Sequence, residues 1–274
     1  MPNNQRIMKA CGLSVSHFPP SRRTFDRRLK TMSTDIKERI ATMGSLFVSE
    51  GFVKPYVVAV DSALLKSKGH VWHASSMKEG VVPYSGIDTD ARWGFSHTKW
   101  WVFGYKLHVV SSTDPSSTII PLSADVTTAN VSDKPVYPDL ISCLYSEILK
   151  KVHYVVADPG YDDQDLYDFS MNNGFQLVYP IRRYKNTPEE RLKLADFYQS
   201  ALGQVVYSRR RTSIEPLFEH IKSVFRIDPV PVSGLVNVRS IVLLAILLYQ
   251  ILVYYNCKVR KDNPRKSIKY LIGC

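Results

Sequence analysis

The sequence predicts an α/β protein with a mixed five-stranded sheet and helices on both faces. Two short runs rich in β-branched and aromatic residues, 56–60 and 152–157, lead into Asp61 and Asp158. Two more strand-like runs, joined by a short turn, lie between them, and helical patterns follow the second aspartate. Antiparallel neighbours followed by strand–helix units produce a sheet of this kind.

The first half of the chain supplies three predicted strands. The first, 56–60 (YVVAV), presents Asp61 at its carboxyl end, and the second covers 100–110 (WWVFGYKLHVV). The third runs over 118–126, after a turn that contains Asp114 and Pro115. Turns this short favour antiparallel pairing of neighbouring strands.

The second half alternates helices with two more strands. A loop leads into a helix at about 137–149, and the fourth strand ends at Asp158. A helix with Asp162 as its N-cap is expected at about 163–172, and a fifth strand at 175–179.

Three helical patterns close the chain. One lies within about 188–200. The second, 207–225, has one apolar face, with Ser213 as its expected cap and Pro216 in its first turn. The third is the apolar block 241–255, which is shorter than the roughly 20 residues that a membrane helix needs. We therefore expect a buried core helix and no membrane partner.

Charge and cysteine usage narrow the class of partner and compartment. The 36 Lys and Arg residues outnumber the 25 Asp and Glu residues, which gives a net charge of +11. A globular chain this basic indicates a polyanionic partner, with nucleic acid as the first candidate and a merely basic surface as the alternative. The four cysteines form no CxxC pair, which favours a reducing compartment and argues against structural zinc.

The order of elements is that of the RNase H-like fold. We expect such a domain at 56–256, with a short insertion near 181–206, and a basic tail at 257–274. A basic helical arm at 1–55 precedes the domain. The arm is either a phosphate-gripping segment or a solvated helix face, and it is short enough to be a truncated DNA-binding region.

Three acids are candidates for metal-dependent chemistry. Asp61 and Asp158 end neighbouring predicted strands, and Glu215 opens a helix that would pack on the sheet. Three carboxylates can hold two Mg²⁺ or Mn²⁺ ions about 4 Å apart, an arrangement that cleaves phosphodiesters. Glu219, one turn beyond Glu215, is the alternative acid on that helix.

Basic residues accompany these acids. Glu215 and Lys222 are about 700° apart on a helix, so they lie within roughly 20° of one face, and Arg211 stands one turn before Glu215. Lys106 on the second strand is a further candidate for a phosphate contact. These positions predict a DNA backbone site beside the acids.

Five motifs, in order, give the chain a resemblance to a known family. They are AVDSALLK around Asp61, FGYKLHVV at 103–110, TTANVSD at 127–133, ADPGYDD around Asp158 and RTSIEPLFEHIK at 211–222. The chain resembles DDE transposases of prokaryotic insertion sequences. The resemblance implies an RNase H-like catalytic domain in which Asp61, Asp158 and Glu215 bind two Mg²⁺ or Mn²⁺ ions.

The same resemblance implies partners and roles. It implies cleavage and strand transfer on double-stranded DNA, at transposon ends and target, by a homodimer in a synaptic complex. Arg211 and Lys222 match the family's DNA-contacting arginine and lysine, whereas Tyr207 is one residue too far from Arg211 to match its tyrosine. We expect a cytoplasmic, nucleoid-associated protein. Two alternatives remain open: an RNase H-like nuclease without strand transfer, and an inactive remnant that only binds DNA.

Overall fold

The structure, a computed structural model, describes residues 21–96, 100–181, 185, 187–259 and 268. The first twenty residues of the predicted arm and most of the predicted basic tail therefore lie outside the described residues. The strands are β1 (Val57–Lys66), β2 (Arg92–Ser96), β3 (Trp100–Ser112), β4 (Pro121–Thr128), β5 (Tyr154–Val156) and β6 (Gln176–Val178). The α-helices are α1 (Arg22–Leu29), α2 (Ser33–Ser49), α3 (Ala74–Lys78), α4 (Tyr137–Ser142), α5 (Ser146–Leu149), α6 (Gln164–Asn172), α7 (Glu189–Gln199), α8 (Ala201–Phe225) and α9 (Leu235–Val259).

The strands form one mixed sheet. Strand β3 pairs antiparallel with β1 on one side, and β4 pairs antiparallel with the other side of β3. Strand β5 lies parallel to β1, and β6 lies parallel to β5. The resulting order β4–β3–β1–β5–β6 is the strand order of the RNase H-like fold, so the predicted fold class is confirmed.

Strand β2 is an addition that the sequence analysis missed. It pairs antiparallel with Trp100–Gly104 of β3, directly beside the segment that pairs with β4. Gly94 permits this close placement, because a Cβ atom there would collide with the carbonyl oxygen of Ala129, just beyond β4. The sheet therefore has six strands rather than the predicted five.

The first strand is longer than predicted. It continues past Asp61 to Lys66, and Asp61 is paired with Val109 of β3. Leu64 and Leu65 are buried, so the pairing remains favourable beyond the apolar run that marked the strand in the sequence. Asp61 thus lies in mid-strand, and its predicted position at the strand end is wrong.

Helix α8 begins earlier than predicted. Ser200 caps it by accepting a hydrogen bond from the Gly203 amide, so Ser213 is not the cap and Pro216 lies inside the helix. The Ser213 hydroxyl instead donates to the carbonyl of Arg209 at 2.6 Å. Fully buried Ile221 belongs to the apolar face whose packing holds the helix together through the proline.

The helices after β4 and β5 also differ from the predicted ones. The predicted helix at 137–149 is divided into α4 and α5, preceded by a 3₁₀ turn at Lys134–Val136. Asp163, not Asp162, caps α6 by accepting from the Asp165 amide.

Helix α9 is longer than the apolar block that predicted it. Its length and composition would suffice to cross a membrane, but half of its most apolar stretch is buried within the protein. It packs against α2 and β4, and the buried Gln250 amide donates to the carbonyls of Ile40 and Pro121 at 3.0 and 2.9 Å. These contacts are those of a core helix, with α2 of the N-terminal arm in the same core.

Candidate active site

The predicted site residues line a single open cavity of about 580 Å³. Its wall includes the three predicted acids and the three predicted basic residues: Asp61, Asp158, Glu215, Lys106, Arg211 and Lys222. The sequence analysis assigned no site role to several other lining residues, among them Phe95, Asp133 and Arg210. The fold therefore brings together segments that are more than 150 residues apart in the chain.

Neighbouring elements deliver the three acids. Asp61 lies on β1, and Asp158 follows β5, which pairs in parallel with β1. The Asp158 carboxylate accepts a hydrogen bond from the Gly160 amide at 2.8 Å, which fixes the turn after the strand. Glu215 comes from α8, which packs against both strands.

Asp61 is the most buried of these acids. One oxygen, Oδ1, accepts from the Ser62 amide at 2.8 Å, and Oδ2 accepts from Arg210 Nη2 at 2.6 Å. Burial raises the pKa of Asp61 to about 7, although Arg210 and the Ser62 amide act in the opposite direction. The charges of Asp158 and Asp133 raise this pKa further, so a positive charge beside Asp61 favours its ionised form.

Arg210 links Asp61 to Glu215. Its Nη1 lies 3.5 Å from Glu215 Oε1, and only 15% of its side chain is exposed. Burial lowers the pKa of Arg210, but Asp61, Tyr207, Asp158 and Glu215 together outweigh that effect and raise it. The sequence analysis missed this residue because the motif spacing selects Arg211. Three consecutive arginines on a helix turning by about 100° per residue point in different directions, and that was the available signal.

A fourth carboxylate, Asp133, faces the cavity from the loop after β4. Lys106 Nζ donates to Asp133 Oδ1 at 3.1 Å and to the Val131 carbonyl at 2.7 Å. The buried His108 ring places Nδ1 3.3 Å from the same carboxylate oxygen. Burial raises the pKa of Asp133, but the close His108 ring and the charge of Lys106 leave it below its ordinary value.

Residues 53–251 match the model of the transposase DDE domain. The chain belongs to the transposase DDE domain family. Among solved structures, it is similar to the crystal structure of a pre-cleavage Mos1 transpososome at 11% identity. That match covers 91% of this chain and 70% of the other, with a TM-score of 0.25. None of the curated proteins matches this chain.

The family membership confirms the resemblance seen in the motifs. Within this transposase domain, the basic residues differ in their surroundings. Arg211 is exposed at the cavity, whereas Lys222 is buried, with Nζ 3.7 Å from the exposed Glu219. Lys106 already donates to two protein acceptors. Their phosphate contacts stay predictions, as do the roles of the three acids.

The donor chemistry suits a hard cation, but the described carboxylates are not grouped around one ion position. Carboxylate oxygens are the ligands that Mg²⁺ and Mn²⁺ prefer. Across the described ranges, no group of three His, Cys, Asp or Glu side chains is placed to hold a metal ion. The Arg210 guanidinium contacts both Asp61 and Glu215, and so occupies a position between two of the three predicted ligands.

Proposed function

We propose that this transposase domain binds the ends of an insertion sequence and catalyses phosphodiester hydrolysis and strand transfer. The observation that carries the proposal is the shared cavity of Asp61, Asp158 and Glu215 in a chain of this family. Two Mg²⁺ or Mn²⁺ ions, when bound by these acids, would activate the attacking oxygen and stabilise the leaving oxygen.

The protein's own groups orient this chemistry. The Ser62 amide holds one oxygen of Asp61, and the Gly160 amide holds one oxygen of Asp158. Backbone donors on a sheet and an adjoining turn fix both carboxylates in direction. Arg211 and Lys222 lie along the same cavity and are proposed to contact the DNA backbone, consistent with the net charge of +11.

The proposed reaction has two steps. In the first, water attacks the phosphorus at the element end, the bond from phosphorus to the 3′ oxygen breaks, and a 3′-hydroxyl is released. In the second, the oxygen of that hydroxyl attacks a target phosphorus and loses its proton, the bond from that phosphorus to the target strand's 3′ oxygen breaks, and the target strand leaves with a 3′-hydroxyl. A homodimer that pairs two ends is the proposed assembly, located at the nucleoid.

Cleavage of DNA that carries the flanking inverted repeats tests the proposal. Asp158→Asn should abolish Mg²⁺-dependent cleavage and leave end binding nearly intact, because the basic residues of the cavity are unchanged. Asp168→Asn is the matched control, since Asp168 is exposed on α6 and absent from the cavity wall. Cleavage by purified Asp158→Asn protein at the wild-type rate would remove the site assignment.

A pre-cut end distinguishes the transposase from a nuclease. If the protein cuts the repeats but never joins a pre-cut 3′-hydroxyl end to target DNA, the nuclease without strand transfer is correct.

The second candidate function, an inactive DNA-binding remnant, is favoured by the absence of a ready metal cluster among the described side chains. End binding without cleavage in either Mg²⁺ or Mn²⁺ would establish the remnant.

A further inference from the structure

Arg210 lies between two of the proposed metal ligands. Arg210 has side-chain contacts with Asp61 at 2.6 Å and with Glu215 at 3.5 Å. The two acids are 154 positions apart, and the guanidinium is the group that joins them. A planar guanidinium presents several donors in a fixed fork, which allows it to contact two carboxylates at once.

A divalent cation and Arg210 compete for the same ligand atom. Both oxygens of Asp61 are engaged, Oδ1 by the Ser62 amide and Oδ2 by Arg210. An ion on Oδ2 would lie about 2.1 Å from it. Two cations on one oxygen would then stand only about 4 Å apart, and their repulsion is strong because the Asp61 and Arg210 side chains are largely buried.

Arg210 is held in a way that permits it to leave. Its Nε atom is buried and donates to no acceptor in the part of the chain that the structure describes. The contact with Glu215 is long, and the Glu215 side chain is half exposed. The firm attachment is therefore the single short hydrogen bond to Asp61.

We propose that Arg210 is an internal counter-cation that occupies the metal-free site and must release Asp61 before a divalent ion binds there. The inference rests on the proposed function, because it takes Asp61, Asp158 and Glu215 as the metal ligands. Arg210 thereby preserves the charge balance of the empty cavity and weakens its affinity for metal. It is a positioning residue, acting on the ligands rather than on DNA.

Mn²⁺ binding to the DNA-free protein, followed by electron paramagnetic resonance of the free ion, tests this role. Arg210→Gln should bind Mn²⁺ at least about tenfold more tightly than wild type, the size expected when a close competing charge is removed. Arg209→Gln is the matched control, because it removes the same charge one position earlier on α8, from a residue outside the cavity wall. Its affinity should stay near that of wild type.

Arg210→Lys is the second test variant, for the case in which Arg210→Gln does not fold. It keeps a positive charge beside Asp61, but its compact ammonium lacks the fork that reaches two carboxylates. Its Mn²⁺ affinity should lie between those of wild type and Arg210→Gln. An affinity equal to or weaker than that of wild type in both Arg210 variants would overturn the inference.

Asp158→Asn separates this failure from failure of the proposed function. If wild type binds Mn²⁺, Asp158→Asn loses it and the Arg210 variants match wild type, only the inference about Arg210 falls. If Asp158→Asn binds Mn²⁺ as wild type does, or if no variant binds it, the acids are not the metal ligands and both proposals fall.

Discussion

Two carboxylate–cation pairs of this protein share their chemistry and differ in their surroundings. Asp61 and Arg210 pair inside the cavity with side chains 12% and 15% exposed. Glu50 and Lys258 pair near the ends of α2 and α9 with side chains 26% and 49% exposed, and the Tyr254 hydroxyl donates to the same glutamate at 2.6 Å. Burial raises the pKa of Asp61, whereas hydrogen bonds from Lys258 and Tyr254 lower that of Glu50. The two pairs therefore differ in the direction of the pKa shift of their acid, raised in the buried pair and lowered in the more exposed one.

Removal of the cation from each pair should give the largest contrast. Arg210→Met leaves a buried carboxylate without its partner, and we expect a loss of about 1 kcal/mol in the free energy of unfolding at pH 7.5, because Asp61, with a pKa of about 7, can then take up a proton. Lys258→Met leaves Glu50 in contact with water, so its effect should be small. Urea denaturation of both variants in EDTA at pH 7.5 measures the contrast. Equal losses in the two variants would show that burial does not distinguish the pairs.

The pH dependence of stability should have opposite signs for the two acids. The folded pKa of Asp61 is about 7 against an ordinary 3.8, so the folded state binds more protons between these values. Stability from this group is complete below 3.8 and is lost as pH rises through about 7. For Glu50, whose pKa is lowered from 4.5, stability is present above 4.5 and lost as pH falls through the lower folded value.

Denaturant midpoints of the metal-free protein between about pH 2 and 8 test this sign. Asp61→Asn should flatten the fall in stability towards neutral pH, because the amide does not titrate. Glu50→Gln should leave that fall unchanged and remove a smaller rise at acidic pH. A fall of the same size in Asp61→Asn would mean that another group causes it.

Of the three tests, high ionic strength should change the stability of the two variants least. The Debye length is about 3 Å at 1 M ionic strength, so the exposed pair is screened and Lys258→Met should then match wild type. The Arg210→Met loss should persist, because the Asp61 and Arg210 side chains are only 12% and 15% exposed. Repeating the urea titrations in 1 M NaCl measures both effects, and a rescued Arg210→Met protein would contradict the assigned burial.

The sequence predicted the strand order well and the element boundaries poorly. Apolar runs mark where a strand is buried on both sides, so β1 and β5 were found together with the acids that they deliver. The half of β1 beyond Asp61 is held by its pairing with β3, which a local pattern does not contain. Helix α8 was shortened in the prediction because Pro216 and Ser213 resemble an entry, while tertiary packing extends it to Ala201.

Motif spacing led to acids that share one cavity. Asp61, Asp158 and Glu215 follow family motifs, and all three line one cavity. Arg210 is five residues before Glu215, one more than the motif spacing. Its partner Asp61 is 149 positions away, so local sequence does not reveal the contact. Asp133 was expected only to orient a helix entry, and its contacts with Lys106 and His108 depend on the register between β3 and β4. Long-range register is the information that a single sequence lacks.

Gly94 carries a consequence for the width of the cavity. The hairpin of β2 and β3 abuts the segment after β4 at this glycine, and Phe95 beside it forms part of the cavity wall. The same segment leads to Asp133, so one missing methyl group sets the spacing between an aromatic wall and an acid. An alanine at position 94 would push the β2–β3 hairpin away from the segment after β4 and widen the cavity, while every charged group stayed the same.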